Sequence, residues 1–167
     1  MEATSVKTRA TFSGGVHPAG NKELTSHKPT ITAAIPKRVV IPLSQHIGAP
    51  TKPLVVIGQE VKKGEKIGES GGFVSAPVHA TVSGKVSAIG NFPHSMGTDM
   101  AAVVIESDGK DEWVAGLKET KDYLLLSPDE LKKMVSDAGI VGMGGATFPT
   151  HVKLSPPKEK PIDVLIL

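Results

Sequence analysis

Four glycines fall within seven residues in Gly139-Ile-Val-Gly-Met-Gly-Gly145, and the run continues Ala-Thr-Phe-Pro-Thr150 with a lysine at position 153. Glycines at 142, 144 and 145 let backbone amides approach an anion without interference from a Cβ, so the stretch can form an anion-binding nest. Lys153 is near enough to add a positive charge, and Phe148 offers a flat surface to a ring. Two familiar phosphate loops fail here. The dinucleotide fingerprint G-x-G-x-x-G lacks its third glycine, since Gly142-x-Gly144 runs on as Gly145-Ala146-Thr147, and no strand leads directly into it. A Walker A loop ends in Gly-Lys-Ser/Thr, whereas this stretch ends in Phe-Pro-Thr. On these residues alone, a ligand-binding nest and a helix C-cap followed by a Gly-rich turn stand level.

The rest of the chain offers little other chemistry. There is no cysteine, which excludes disulfides, thiolate catalysis and any iron–sulfur or Cys-zinc site built from this chain. Six histidines, at 17, 27, 46, 79, 94 and 151, form no HxH, HxxH or HExxH pattern, so a metal site would have to be assembled from distant residues. They are read as isolated structural or solvent-facing side chains. No G-x-S-x-G and no acid–base pair stands apart from the ordinary surface charge. A net charge of +2 on 167 residues argues against a nucleic-acid partner. No apolar run is long enough to span a bilayer and no secretory signal is visible, which predicts a soluble, cytoplasmic polypeptide.

The elements that must position the glycine cluster are mostly short strands. Aromatics make up only 4% of the chain, so the core must be Val, Ile, Leu and Ala, and 18 Gly with 13 Pro imply frequent turns. Residues 1–38 read as an extended arm packing through isolated anchors such as Phe12, Val16 and Leu24. Residues 39–120 carry β-branched runs punctuated by Gly and Pro, including RVVIPL, KPLVVIG, EKIGE and MAAVVIESDG. Within them ATVSGKVSAI places Ser83-Gly84 between two alternating strands, which predicts a hairpin turn. Ser127-Pro-Asp-Glu130 announces a helix by its capping box and first-turn proline, Leu131, Met134, Val135 and Ala138 share one face, and Gly139 is the stop. The last six residues, Ile162-Asp-Val-Leu-Ile-Leu167, resemble a central strand of an α/β sheet, from which we expect 121–167 to be the opening of a second domain lacking most of its sheet, and the chain to be a fragment.

The pattern GQEVKKGEKIGES…GFVSAPVHATVSGKVSAI resembles biotinyl and lipoyl carrier domains, whose fold is a flattened barrel-sandwich of two similar hairpins. Carriers acylate a lysine at the tip between their central strands. Here that tip reads Gly71-Gly-Phe-Val-Ser-Ala-Pro-Val-His79 and has none, so the expectation is a barrel-sandwich that carries no swinging arm.

TFSGGVHPAGNKELT at 11–25, IPLSQHIGAP at 41–50, VKKGEKIGE at 61–69, GFVSAPVHATVSGKV at 72–86 and GIVGMGGATFPTHVKL at 139–154 together resemble the N-terminal part of the RnfC family. These are peripheral subunits of Rnf ion-translocating ferredoxin:NAD+ oxidoreductases. The resemblance implies a mainly β fold, a barrel-sandwich hybrid followed by the truncated start of an α/β flavin- and NADH-binding domain similar to the flavoprotein subunit of complex I. It implies FMN and NAD(H) as cofactors of the full-length protein, and two [4Fe–4S] clusters downstream of this chain. The partners implied are the other Rnf subunits and, indirectly, ferredoxin, at the cytoplasmic face of the bacterial plasma membrane. In the flavoprotein of complex I the matching loop reads G-R-G-G-A-G-F-P-T-G-x-K. By that match Gly142, Gly144 and Lys153 fall on flavin-contacting positions, and Gly145, Ala146 and Phe148 on the side that meets the nucleotide. Met143 replaces an arginine and Thr147 a glycine. Two other roles fit the same stretch: a docking module for the membrane partners, and the NqrA-type component of the related sodium-pumping NADH:quinone reductase.

Overall fold

The computed structural model describes residues 15–16, 18–117, 122–157, 159–160 and 162–164. Met1–Ala33 and Ala34–Leu167 are separate units. In the first, the described residues form one short 3-10 turn at Lys22–Leu24, and Val16 and Leu24 are 88% and 64% exposed, so neither anchors anything. A stretch this poor in apolar residues has no periodic face to bury, and isolated side chains do not supply one. Phe12 lies outside the described residues.

In the second unit, seven strands form two antiparallel sheets. The larger has the order β1-β7-β6-β3, from β1 (Arg38–Pro42), β7 (Asp99–Ser107), β6 (Gly84–Pro93) and β3 (Glu60–Val61). The smaller has the order β2-β4-β5, from β2 (Lys52–Pro53), β4 (Lys66–Glu69) and β5 (Val78–His79). Side chains from both meet in one aliphatic core that includes Ile41, Val61, Ile67, Val86, Val103 and Ile105. Ile67 and Ile105 are fully buried, and truncation of either to alanine would cost about 2–5 kcal/mol. The fold is thus mostly β, as its composition requires.

The two-residue reversal predicted at Ser83-Gly84 is not a hairpin. β5 pairs with β4 and β6 pairs with β3 and β7, so the chain crosses from the smaller sheet to the larger at this point. Ser83 is fully buried; its Oγ donates to Asp108 Oδ1 (2.7 Å) and accepts from the Glu112 amide (2.9 Å), and its carbonyl accepts from the Asp108 amide (3.1 Å). These bonds tie the crossing to residues 108–112 and satisfy polar groups that a buried corner would otherwise leave unpaired. The true reversal joins β6 to β7 through His94–Thr98, with Gly97 at φ 83°.

The helix α1 (Pro128–Asp137) forms where the capping signals place it. Ser127 Oγ accepts from the Glu130 amide, and Glu130 Oε2 accepts from the Ser127 amide at 2.8 Å, closing the capping box. At the other end the Ile140 amide donates to Val135 O and the Gly139 amide to Ser136 O, the Schellman arrangement, with Gly139 at φ 70°. The expected apolar stripe is not buried: Leu131 is 37% and Met134 42% exposed, and α1 has no buried residue. Local capping determines a helix without supplying a partner for its face. Residues 162–164 carry no strand, and the remainder of the predicted terminal strand lies outside the described residues. No helix among the described residues is long and apolar enough to cross a membrane.

Candidate flavin loop and its platform

The glycine cluster is a tight excursion between α1 and a one-turn helix α2 (Thr150–Lys153). Its stem is held by three backbone bonds, Gly142 N–H to Phe148 O (2.9 Å), Thr150 N–H to Ile140 O (3.0 Å) and, at the tip, Thr147 N–H to Gly144 O (2.9 Å). Val141 and Pro149 pair across it, and Pro149 is fully buried. Among the described residues, the amides of Met143, Gly144, Gly145 and Ala146 have no acceptor within the chain. Met143 is fully exposed.

Lys153 folds back over this stem. Its Nζ stands in the space that a Cβ on Gly142 would take. A cation therefore lies beside four unused amides, which is the donor set a phosphate takes: oriented N–H groups plus one ammonium. At Gly144 and Gly145 an added Cβ would meet nothing within 4 Å, so this side of the tip is open.

The loop rests on two other segments of the barrel. The Ile47 amide donates to Ala146 O (3.0 Å) and Thr147 Oγ1 donates to Gln45 O (2.8 Å). His151 Nε2 lies 3.3 Å from Phe73 O, so that nitrogen carries the proton and donates; its buried Nδ1 has no partner among the described residues. A Cβ on Gly139 would sit 2.5 Å from Pro77 O and 3.4 Å from the His79 ring. Burial pushes the His79 imidazole below its ordinary pKa, and the Lys66 ammonium adds to that. Lys66 also reaches Asp137 of α1 at 3.8 Å.

The platform segments are themselves interlocked. The Ala76 amide donates to His46 Nε2 (3.0 Å), His46 Nδ1 lies 3.1 Å from Ile47 O, and Ser75 Oγ donates to Ala49 O (2.8 Å) while accepting from the Gly71 amide (3.0 Å). His46 and Ser75 are buried. His46 is thus a structural histidine, bonded on both ring nitrogens. Three stretches far apart in sequence, 45–50, 71–79 and 139–153, meet here.

Of the six sequence-predicted site residues, Gly142, Phe148 and Lys153 come together in the stem, with Phe148 half-buried and contributing its carbonyl. Gly144 and Gly145 form the open tip. Gly145 and Ala146 also line a cavity of about 920 Å³ against β1, whose walls include Ile41, Ile47 and Met100. The six therefore occupy two faces of one loop. Gln45, Ile47 and Phe73, which carry the loop from the barrel, had no chemical signature of their own in the sequence, because they contribute backbone groups.

A two-sheet barrel with a Gly-rich loop and its capped helix docked on one end is a barrel-sandwich hybrid joined to the start of a flavin-binding domain. Residues 10–110 match the family model described as the RnfC barrel sandwich hybrid domain, and residues 135–167 match that of the Nuo51 FMN-binding domain. This chain belongs to the RnfC family. It is 54% identical over 156 residues to the RnfC-type component of the proton-translocating ferredoxin:NAD(+) oxidoreductase complex of Clostridium ljungdahlii, covering 93% of this chain and 34% of the relative. With the counterpart from the Na(+)-translocating complex of Acetobacterium woodii the identity is 50% over 157 residues, covering 94% and 35%. With the counterpart from the ion-translocating oxidoreductase complex of Rhodobacter capsulatus it is 40% over 156 residues, covering 92% and 30%. The chain spans about a third of the length of these curated relatives.

Proposed function

We propose that the intact protein is the peripheral RnfC component of an ion-translocating complex at the cytoplasmic face of the bacterial plasma membrane, passing electrons between NAD(H) and ferredoxin. Support for the redox role comes from the match to an FMN-binding domain and from the names of the relatives. The observation that carries it at the level of residues is the set of four unused amides, Met143 to Ala146, beside the Lys153 ammonium.

That donor set fits the phosphate of FMN. Gly142 admits Lys153 against the backbone, Gly144 and Gly145 leave the tip open, and Lys153 neutralises the anion. Gly145, Ala146 and Phe148 are assigned to the side that receives NAD(H). When bound, FMN supplies exchange between two-electron hydride chemistry and single-electron transfer, and the protein supplies binding, orientation and tuning. Iron–sulfur clusters that take the electrons onward would be held by residues outside this chain, which has no cysteine.

The test is titration of the intact apoprotein with FMN, followed by flavin fluorescence. Lys153→Ala should weaken binding about tenfold or more, as loss of a charge-assisted contact does. Unchanged affinity would remove the loop from the site. The 167-residue chain alone is expected to bind more weakly than micromolar, because the loop offers only one wall. A second reading, docking to membrane partners, is favoured by the exposure of Leu54, Val56 and Ile57 at 47%, 67% and 64%. It predicts that Val56→Glu with Ile57→Glu prevents assembly of the complex while FMN stays bound; normal assembly of that variant would exclude this surface.

A further inference from the structure

Thr147 holds a backbone conformation that its side chain disfavours. Its φ is 42°, in the left-handed region, where a β-branched residue is an outlier and glycine is the ordinary occupant. Strain of this kind persists only where surrounding contacts over-determine it. Here the contacts are plain: Thr147 Oγ1 donates to Gln45 O at 2.8 Å, Ala146 O accepts from Ile47 N–H at 3.0 Å, and the Thr147 amide closes the tip turn on Gly144 O at 2.9 Å. A glycine would relax the backbone and lose the first of these.

We propose that Thr147 is a positioning residue, a latch whose hydroxyl fixes the glycine tip to the barrel so that the free amides of 143–146 are presented in one arrangement to the bound phosphate. The role rests on the flavin reading above. It assigns the barrel a task in cofactor binding: the 45–47 segment is the fixed frame, itself held by His46 between Ile47 O and Ala76 N–H. Preorganised donors bind more tightly than donors that must be ordered on binding.

The experiment uses three variants of the intact protein, Thr147→Gly, Thr147→Val and Thr147→Ser, with two readouts, amide hydrogen exchange over 143–147 without ligand and FMN affinity. Thr147→Gly relieves the strain and removes the hydroxyl, Thr147→Val keeps the branched shape without it, and Thr147→Ser keeps it. We expect faster loop exchange and about tenfold weaker FMN binding for Gly and Val, with Ser close to the parent and no loss of melting temperature for Gly. FMN affinity unchanged in Thr147→Gly, or lowered equally in Thr147→Ser, would overturn the latch. Failure of the flavin reading is separate: it appears as FMN affinity insensitive to Lys153→Ala, whatever Thr147 does to loop exchange.

Discussion

Lys153 and Gly142 share one volume: the lysine ammonium occupies the place where any side chain at 142 would begin. The obstacle is the far end of a flexible side chain, so Gly142→Ala should fold with a loss below about 1 kcal/mol by chemical denaturation. The displaced ammonium no longer flanks the tip amides, and FMN affinity of the intact protein should fall about tenfold. A folded Gly142→Ala protein with parental affinity would show that Lys153 need not stand there.

Gly139 predicts the opposite balance. Its φ of 70° disfavours any side chain, and an added Cβ would meet the Pro77 carbonyl at 2.5 Å, a backbone atom that cannot step aside. Gly139→Ala should cost about 2 kcal/mol or more in urea unfolding, the sum of left-handed strain and the clash. Loss of the contact should also raise hydrogen exchange throughout α1.

The cap of α1 gives a pH dependence. The Glu130 carboxylate is held below the ordinary glutamate value, first by the Ser127 hydroxyl at 2.7 Å and then by the Ser127 amide. A depressed folded-state pKa means that this contribution is complete above the unfolded value of about 4.3 and is lost as pH falls through the folded value. Protection of the first-turn amides of α1, followed by NMR, should decline in that window. Ser127→Ala should abolish the dependence and cost about 1 kcal/mol.

The buried corner at Ser83 supplies the fourth. Ser83→Ala removes the donor to Asp108 and strands the Glu112 amide, for a loss of about 1–3 kcal/mol. Asp108 is also held below its ordinary value, chiefly by the Lys110 amide and next by Ser83, so its carboxyl resonance should titrate at higher pH in the variant. An unmoved titration would show that the Ser83 hydroxyl does not act on that carboxylate.

How much of the molecule is legible in its sequence depends on the distance over which each interaction works. The helix is readable to its caps because Ser127, Glu130 and Gly139 act within a turn of themselves. Ser83-Gly84 misleads for the same reason: the residues suit a reversal, and only the pairing partners of β5 and β6 show that the chain crosses between sheets. Val16, Leu24, Leu131 and Met134 are apolar residues whose burial no local pattern can guarantee. In the site, the glycines and Lys153 stand out by type. Their supports at Gln45, Ile47 and Phe73 act through carbonyls and amides, which every residue has.

Gln45 and Thr147 are 102 positions apart in the chain, so the bond between them closes a very long loop. Contacts of that separation are reached late, after the closure entropy has been offset by nearer pairings such as β6 with β7. The tip of the glycine loop should therefore be among the final parts of Ala34–Leu167 to gain protection in pulse-labelled refolding, behind β6 and β7; protection at 143–147 that precedes theirs would contradict this order. During synthesis the same order makes cofactor loading a checkpoint on maturation: a barrel that has failed to close cannot offer the cradle, and stays without its flavin.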